Sequence, residues 1–377
     1  MNKSIDFIIK LLGIVFRRSL IITFYLSCLL AFLYFPHIVD YFKADDNSIT
    51  VYTFTEFISS ESLRRFEQKT GIKVRLQFFE SNEELYAKFK INQGEGYDLI
   101  TPSDYMVDVM RKDGLLQNID IAELDNFKDL DPRLLGQYFD PDNKYSIPLC
   151  WLVYGIVYNK GLIGSEFRSA DLDLLFSDAN NLIKDKIITK PYRICMIQDP
   201  REMVCLGALY LFGRTSNLTE QDFASIQDLL SHQKKSVESY TSVGVPYFLM
   251  GNIASVAVVT SHQMRKMFES NENFVFEIPK KGSLFVIENL AIPAKSPKAE
   301  LAHKFIDFMI SEELAGLHSA MYGTNPSNKE AYKGIDKKFT ENPNYFPTNE
   351  VFSRLHLIKN DISLERVDSI WLAVRFY

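Results

Sequence analysis

A chain of 377 residues, 46% of them apolar, is long enough for two domains with cores of their own. Its formal net charge of −6 argues against the basic face of a nucleic-acid binder, so no nucleic-acid partner is expected. The four cysteines (Cys28, Cys150, Cys195, Cys205) form no CxxC pair. Neither they nor the six histidines fall into a metal-ligand spacing, so neither metal nor cofactor is expected. For Cys195 and Cys205 two readings stand open, a disulfide or a pair of buried free thiols, the second being favoured.

Ser19 to Val39 runs without a charge, about the length that spans a bilayer as a helix. Lys3, Lys10, Arg17 and Arg18 precede it; Asp40, Asp45 and Asp46 follow it, with Lys43 the one cation there. The positive-inside rule therefore keeps the start in the cytoplasm and exports the rest. Cys28 follows Leu26-Ser27 as in a lipoprotein site, but apolar residues continue where a mature lipoprotein turns polar. No small-x-small cleavage site follows the run, so residues 1–46 read as a cytoplasmic stub with an uncleaved anchor rather than a cleaved signal.

Ile49–Phe57 alternates apolar residues with threonines, as a half-buried strand does, and ends on Thr55, Glu56 and Phe57. Ser59 or Ser60 caps a helix that Gly71 closes. Ile72, Val74, Leu76 and Phe78 predict a second strand, and Ser81 with Glu84 a capping box for the next helix. Tyr97–Pro102 predicts a third strand, after which Ser103 caps a helix ending near Gly114. This β-α-β-α-β-α series implies a parallel sheet with right-handed crossovers. Thr55–Phe57 and Ser103–Tyr105 then project from the same sheet edge, where ligands of open α/β sheets bind. A carboxylate flanked by aromatics there suits a small organic cation.

Leu115–Asn143 is polar and turn-rich. Tyr145–Asn159 is too long and apolar for one ordinary strand and reads as a crossover into a second domain, with Tyr154 and Tyr158 as its packing residues. Tyr192–Ile197, Ala254–Thr260, Phe274–Pro279 and Leu284–Pro293 are strand-like, the last crossing back. Ser296-Pro297 opens a helix with proline in the first position. Asp199-Pro-Arg-Glu is a helix start in which capping accounts for both Asp199 and Glu202. Glu288 stands in an apolar neighbourhood, where a carboxylate needs a partner. No G-x-S-x-G, H-E-x-x-H or glycine-rich phosphate loop occurs, so no enzymatic activity is expected.

Several segments match a known family in order: Phe54-Thr-Glu-Phe, Lys69-Thr-Gly-Ile-Lys-Val, Glu80-Ser-Asn-Glu, Tyr97-Asp-Leu-Ile-Thr-Pro-Ser, Arg111-Lys-Asp-Gly, Asp140-Pro-Asp-Asn-Lys-Tyr-Ser-Ile-Pro, Pro279-Lys-Lys-Gly and Asn289-Leu-Ala-Ile-Pro-Ala. Through them the chain from about Asn47 to Lys329 resembles the periplasmic spermidine/putrescine-binding proteins of bacterial polyamine uptake. The resemblance implies an α/β fold of the two-lobed type II substrate-binding class, closing around ligand like a hinged clamp. It implies a first lobe of 47–152, joined by 288–332, and a second of 153–287, on which 333–377 packs. It implies a ligand site of Phe54, Thr55, Glu56, Phe57, Ser103, Tyr105, Asp199, Glu202 and Glu288.

The implied ligand is spermidine or putrescine, and the implied partners are the permease subunits of an ABC transporter in the inner membrane, with the protein in the periplasm. A polyamine needs carboxylates at matching separations and aromatic faces over its methylenes. The chain departs from the family at its walls: two cleft tryptophans fall near Val259 and Val286, and Phe54 and Phe57 replace a tryptophan and a tyrosine. A second functional reading is a membrane-anchored polyamine sensor that signals to a membrane partner instead of delivering cargo.

Overall fold

The computed structural model describes residues 2–42, 47–55, 57–163, 167, 170–184, 188, 192–241, 244–268, 271 and 273–376; Glu56 lies outside them. Helix α1 (Asn2–Phe42) contains Phe16–Phe35, which is long and apolar enough to cross a membrane. At about 1.5 Å per residue that stretch rises roughly 30 Å, the thickness of a hydrocarbon core. Residues 49–377 form a separate compact unit with hydrophobic cores of its own.

The body starts with β1 (Ser48–Phe54), which ends earlier than expected because Thr55 already turns. Ser59 caps α2 (Ser60–Thr70), its Oγ accepting from Ser62 N, and Gly71 closes the helix in the left-handed region at φ 72°. Next come β2 (Lys73–Phe79) and α3 (Asn82–Asn92). Ser81 caps α3, but Glu84 accepts from the backbone N–H of Glu80 rather than of Ser81, so the expected box is shifted by one residue. The third strand, β3 (Leu99–Ile100), is short; Asp98 N and Thr101 N still donate to Thr50 and Tyr52 of β1 before Pro102 ends the ladder. β1 and β3 are parallel with Val51 opposite Leu99, in the sheet order β2-β1-β3. α4 (Asp104–Lys112) follows directly.

The expectation that Tyr145–Asn159 is too long for one strand is corrected. β4 (Ile147–Asn159) is one continuous strand of 13 residues, every one buried except the half-buried Leu152. Its length is sustained by a change of neighbours. Downstream lie β5 (Ile194–Met196), β6 (Val237–Tyr240), β7 (Val256–Thr260), β8 (Phe274–Glu277) and β9 (Ser283–Leu290). Residues 147–153 of β4 pair with β9, whereas 154–159 pair with β7 and β8. β10 (Asn325–Pro326) and β11 (Leu355–Leu357) complete a mixed eight-stranded sheet.

β9 reaches back to the small sheet through isolated bridges, Ser103 to Glu288 and Ile100 to Ala291. Pro297 does not open the next helix as expected. Ser296 Oγ accepts from Lys298 N and donates to Asp98, holding a turn, and the helix runs Ala299–Met309. The carboxyl-terminal stretch divides: Leu355 and Leu357 pack with Tyr52 and Trp151, whereas Val367, Ile370 and Val374 of the helix Leu364–Phe376 pack with Cys205 and Ile194. Cys195 and Cys205 are buried free thiols facing different cores, which leaves them unbridged.

Candidate functional site

A cleft of about 240 Å³ opens where the loops after β2 and β3 meet the start of the helix Pro200–Phe212. The middle of β4, β9 and the turn after β11 floor it.

Glu288, on β9, is 8% exposed. Ser103 sits at the N-cap position of α4, yet its side chain makes no cap. Its hydroxyl instead accepts from Asn82 Nδ2 at 2.9 Å and donates to Glu288 Oε2 at 2.9 Å. Asn82 Oδ1 also accepts from Ser103 N at 3.1 Å, fixing the hydroxyl from both sides. Burial pushes the Glu288 carboxyl up to about 7, and the Ser103 hydroxyl offsets only part of that.

Across the cleft, Asp199 caps its helix by accepting from Glu202 N at 2.9 Å, with Pro200 in the first turn. Capping does not account for the Glu202 side chain, contrary to expectation. Its Oε1 accepts the hydroxyl of Tyr154 instead of turning back to the cap. Burial raises Glu202 well above the usual carboxylate range, the neighbouring Asp199 adds to it, and the Tyr154 hydroxyl opposes it. Asp199 is raised as well, by burial first, against the pull of the Glu202 N–H.

Tyr105 joins the cleft through a hydroxyl that donates to Glu83 Oε1 at 3.0 Å. Beneath it, Asp104 is fully buried and accepts from Ile287 N at 2.9 Å and Tyr105 N at 2.6 Å, tying α4 to β9. Phe54 supplies one aromatic face, packed on Phe79 at 4.3 Å between ring centroids.

The rest of the apolar wall is aliphatic: Leu152, Val286 and Ile358. Val259 is buried in the core, Phe285 turns away to pack on Phe352, and Tyr247 is 70% exposed outside the cleft. None of them lines the cavity.

Of the expected residues, Phe54, Ser103, Tyr105, Asp199, Glu202 and Glu288 are brought together around one cavity. Thr55 is exposed at the turn, and Phe57 lies behind it, its carbonyl accepting from His318 Nε2 at 2.9 Å; neither lines the cavity. Glu56 falls outside the described residues. Sequence reasoning missed Tyr154, Glu83, Arg201 and Ile358. Tyr154 carried a readable signal, because strand periodicity puts it on the same face as Leu152. Glu83 sits inside the matched Glu80-Ser-Asn-Glu segment, where capping alone was considered.

The cleft thus sets the carboxylates of Glu80, Glu83, Asp199, Glu202 and Glu288 against one guanidinium, that of Arg201. An excess of acid over base at one cleft favours a cationic guest over an anionic one. Among the described residues no group of three or more His, Cys, Asp or Glu is placed to hold a metal ion.

The model of the bacterial extracellular solute-binding protein family matches residues 61–348. The chain is 32% identical over 320 residues to spermidine/putrescine-binding periplasmic protein 1 of Haemophilus influenzae, covering 83% of this chain and 84% of that one. It is 27% identical over 349 residues to the putrescine-binding periplasmic protein PotF of Escherichia coli, covering 88% and 92%. Among solved structures it is similar to a spermidine/putrescine ABC transporter protein of Listeria monocytogenes, with TM-score 0.76, 29% identity and coverage of 88% and 99%. PotD of Streptococcus pneumoniae, a spermidine/putrescine substrate-binding protein, gives TM-score 0.76 at 25% identity, with coverage of 88% and 99%.

Proposed function

This chain belongs to the bacterial extracellular solute-binding proteins, and we propose that it captures spermidine or putrescine outside the inner membrane for an ABC permease. One observation carries the ligand class. Buried Glu288 and half-buried Glu202 share a single cleft, and among the described residues the side chains bonded to their carboxylates are neutral hydroxyl donors, Ser103 and Tyr154. Buried carboxylates of this kind are paid for by a cation that arrives with the ligand. Phe54, Leu152 and Val286 offer the apolar surface that methylenes between ammonium groups would cover.

In this reading the clamp has a first lobe of 47–152 with 288–332 and a second of 153–287. β4, β9 and the segment after β11 serve as the connections about which it closes. Glu56 supplies a further carboxylate to the first jaw, with Thr55 and Phe57 shaping the loop that carries it. Phe16–Phe35 remains as an uncleaved inner-membrane anchor, which keeps the binding body near its permease.

Initial uptake of radiolabelled putrescine and spermidine by cells lacking this protein tests the reading. Uptake should fall and return with the wild-type chain but not with Glu288→Gln. Unchanged initial uptake would overturn delivery as the role.

A further inference from the structure

Arg201 is the cleft residue that a site for cations least requires. It is 6% exposed, yet it lines the same cavity as five carboxylates. Its Nη1 donates to the carbonyl of Ile362 at 2.9 Å, and its guanidinium carbon lies 5.7 Å from the centroid of the Tyr105 ring. Its Nε is buried without a hydrogen-bond partner, and no carboxylate among the described residues is within ion-pair distance. A backbone carbonyl and an aromatic face therefore hold a full positive charge at a fixed point of the cleft.

The cleft is asymmetric in consequence. Ser103, Glu288, Tyr154 and Glu202 form one group, in which the donors touching the acids, among the described residues, are neutral. Glu83, Tyr105 and Asp199 form the other, and Arg201 lies against it. Tyr105 bonds Glu83 and faces Arg201, and Asp199 feels both charges. A ligand ammonium entering the first group meets uncompensated carboxylates. One entering the second meets a resident cation that already balances part of the acid there, and like charges in a poorly hydrated site repel.

On the reading that this cleft binds polyamines, we propose that Arg201 is its specificity residue, a built-in cation that limits how many ammonium groups the ligand brings. It occupies the place of a ligand charge beside Asp199 and Glu83. Adding a further ammonium to the ligand then gains little, and neutralising the far ammonium costs little.

Calorimetry on the full chain in detergent tests this with putrescine, spermidine and N-acetylputrescine. Wild type should bind N-acetylputrescine within about thirtyfold of putrescine; a larger loss overturns the proposal. In Arg201→Met the ratio of spermidine to putrescine affinity should rise at least about fivefold, while Arg201→Lys should keep the wild-type ratio within about twofold. An unchanged or falling ratio in Arg201→Met overturns it. The N-acetylputrescine comparison uses wild type alone, so it decides the matter even if Arg201→Met fails to fold. Should wild type bind neither putrescine nor spermidine, the polyamine reading itself fails. Should it bind both with the Arg201→Met ratio unmoved, only the role of Arg201 fails.

Discussion

The Ser103 hydroxyl donates to Glu288 Oε2 at 2.9 Å across 185 positions of sequence, joining the start of α4 to the middle of β9. That bond presents one carboxylate to the cleft in a single orientation. Removing its charge should therefore be felt directly in ligand affinity. Glu288→Gln is expected to weaken polyamine binding by about 1.5–3 kcal/mol, the range for a hydrogen bond to a charged group, and Ser103→Ala by less. Calorimetry of residues 47–377 reads both; equal affinities for all three proteins would sink the site.

Tyr154 should act through Glu202. Without its hydroxyl the ionised carboxylate loses a donor, so Tyr154→Phe raises the proton affinity of Glu202 further. Binding at pH 7 should weaken about tenfold, and the deficit should shrink as rising pH ionises the carboxyl. A deficit independent of pH would point to lost packing instead.

The ligand-free protein should be less stable at neutral pH than its acids would allow if protonated. Folded, Glu288 holds its proton up to about 7; unfolded, only up to about 4.5. Between those values the folded state binds more protons, so this group's contribution falls as pH rises, by roughly 3 kcal/mol. Asp199 and Glu202 are raised too and act in the same sense. His318 opposes them: burial holds its imidazole down to about 4 from 6.5, so stability is lost as pH falls through that range. Glu288→Gln isolates the first effect. Denaturant melts should show the variant gaining on wild type as pH rises from 5 to 7.5, and a constant gap would contradict the assignment.

The amino-terminal helix yields a prediction of another kind. If Phe16–Phe35 is an uncleaved anchor, the full chain stays in the membrane fraction after alkaline carbonate washing, and its mature amino terminus lies ahead of Phe16. Recovery of a shortened, freely soluble form from the periplasm would identify a cleaved signal.

Local elements were legible wherever a cap or a period named them. Ser59 and Gly71 bound α2 as their chemistry requires, and the Asp199-Pro200 start is where it was expected. Functional geometry was legible only in part, because hydrogen-bond partners come from distant sequence. Ser103 looked like a cap and is a donor to Glu288. Glu202 looked like half of a capping box and faces Tyr154. β4 defeated the length prior since one strand serves two sets of neighbours, a fact of tertiary pairing that its own residues cannot carry. Ile358 could not be foreseen, because its place in the cleft depends on β11 joining β9 from the far end of the chain.

The most direct measurement is a calorimetric titration of residues 47–377 with putrescine and spermidine at pH 7, run in two buffers of different ionisation enthalpy. A cation entering beside Glu288, held up to about 7, and the raised Glu202 should bind at micromolar concentration or tighter and expel protons, giving a buffer-dependent heat. No binding of either amine up to millimolar concentration would contradict the polyamine reading. Tight binding with a buffer-independent heat would contradict the assignment of Glu288 and Glu202 as the ligand's acids.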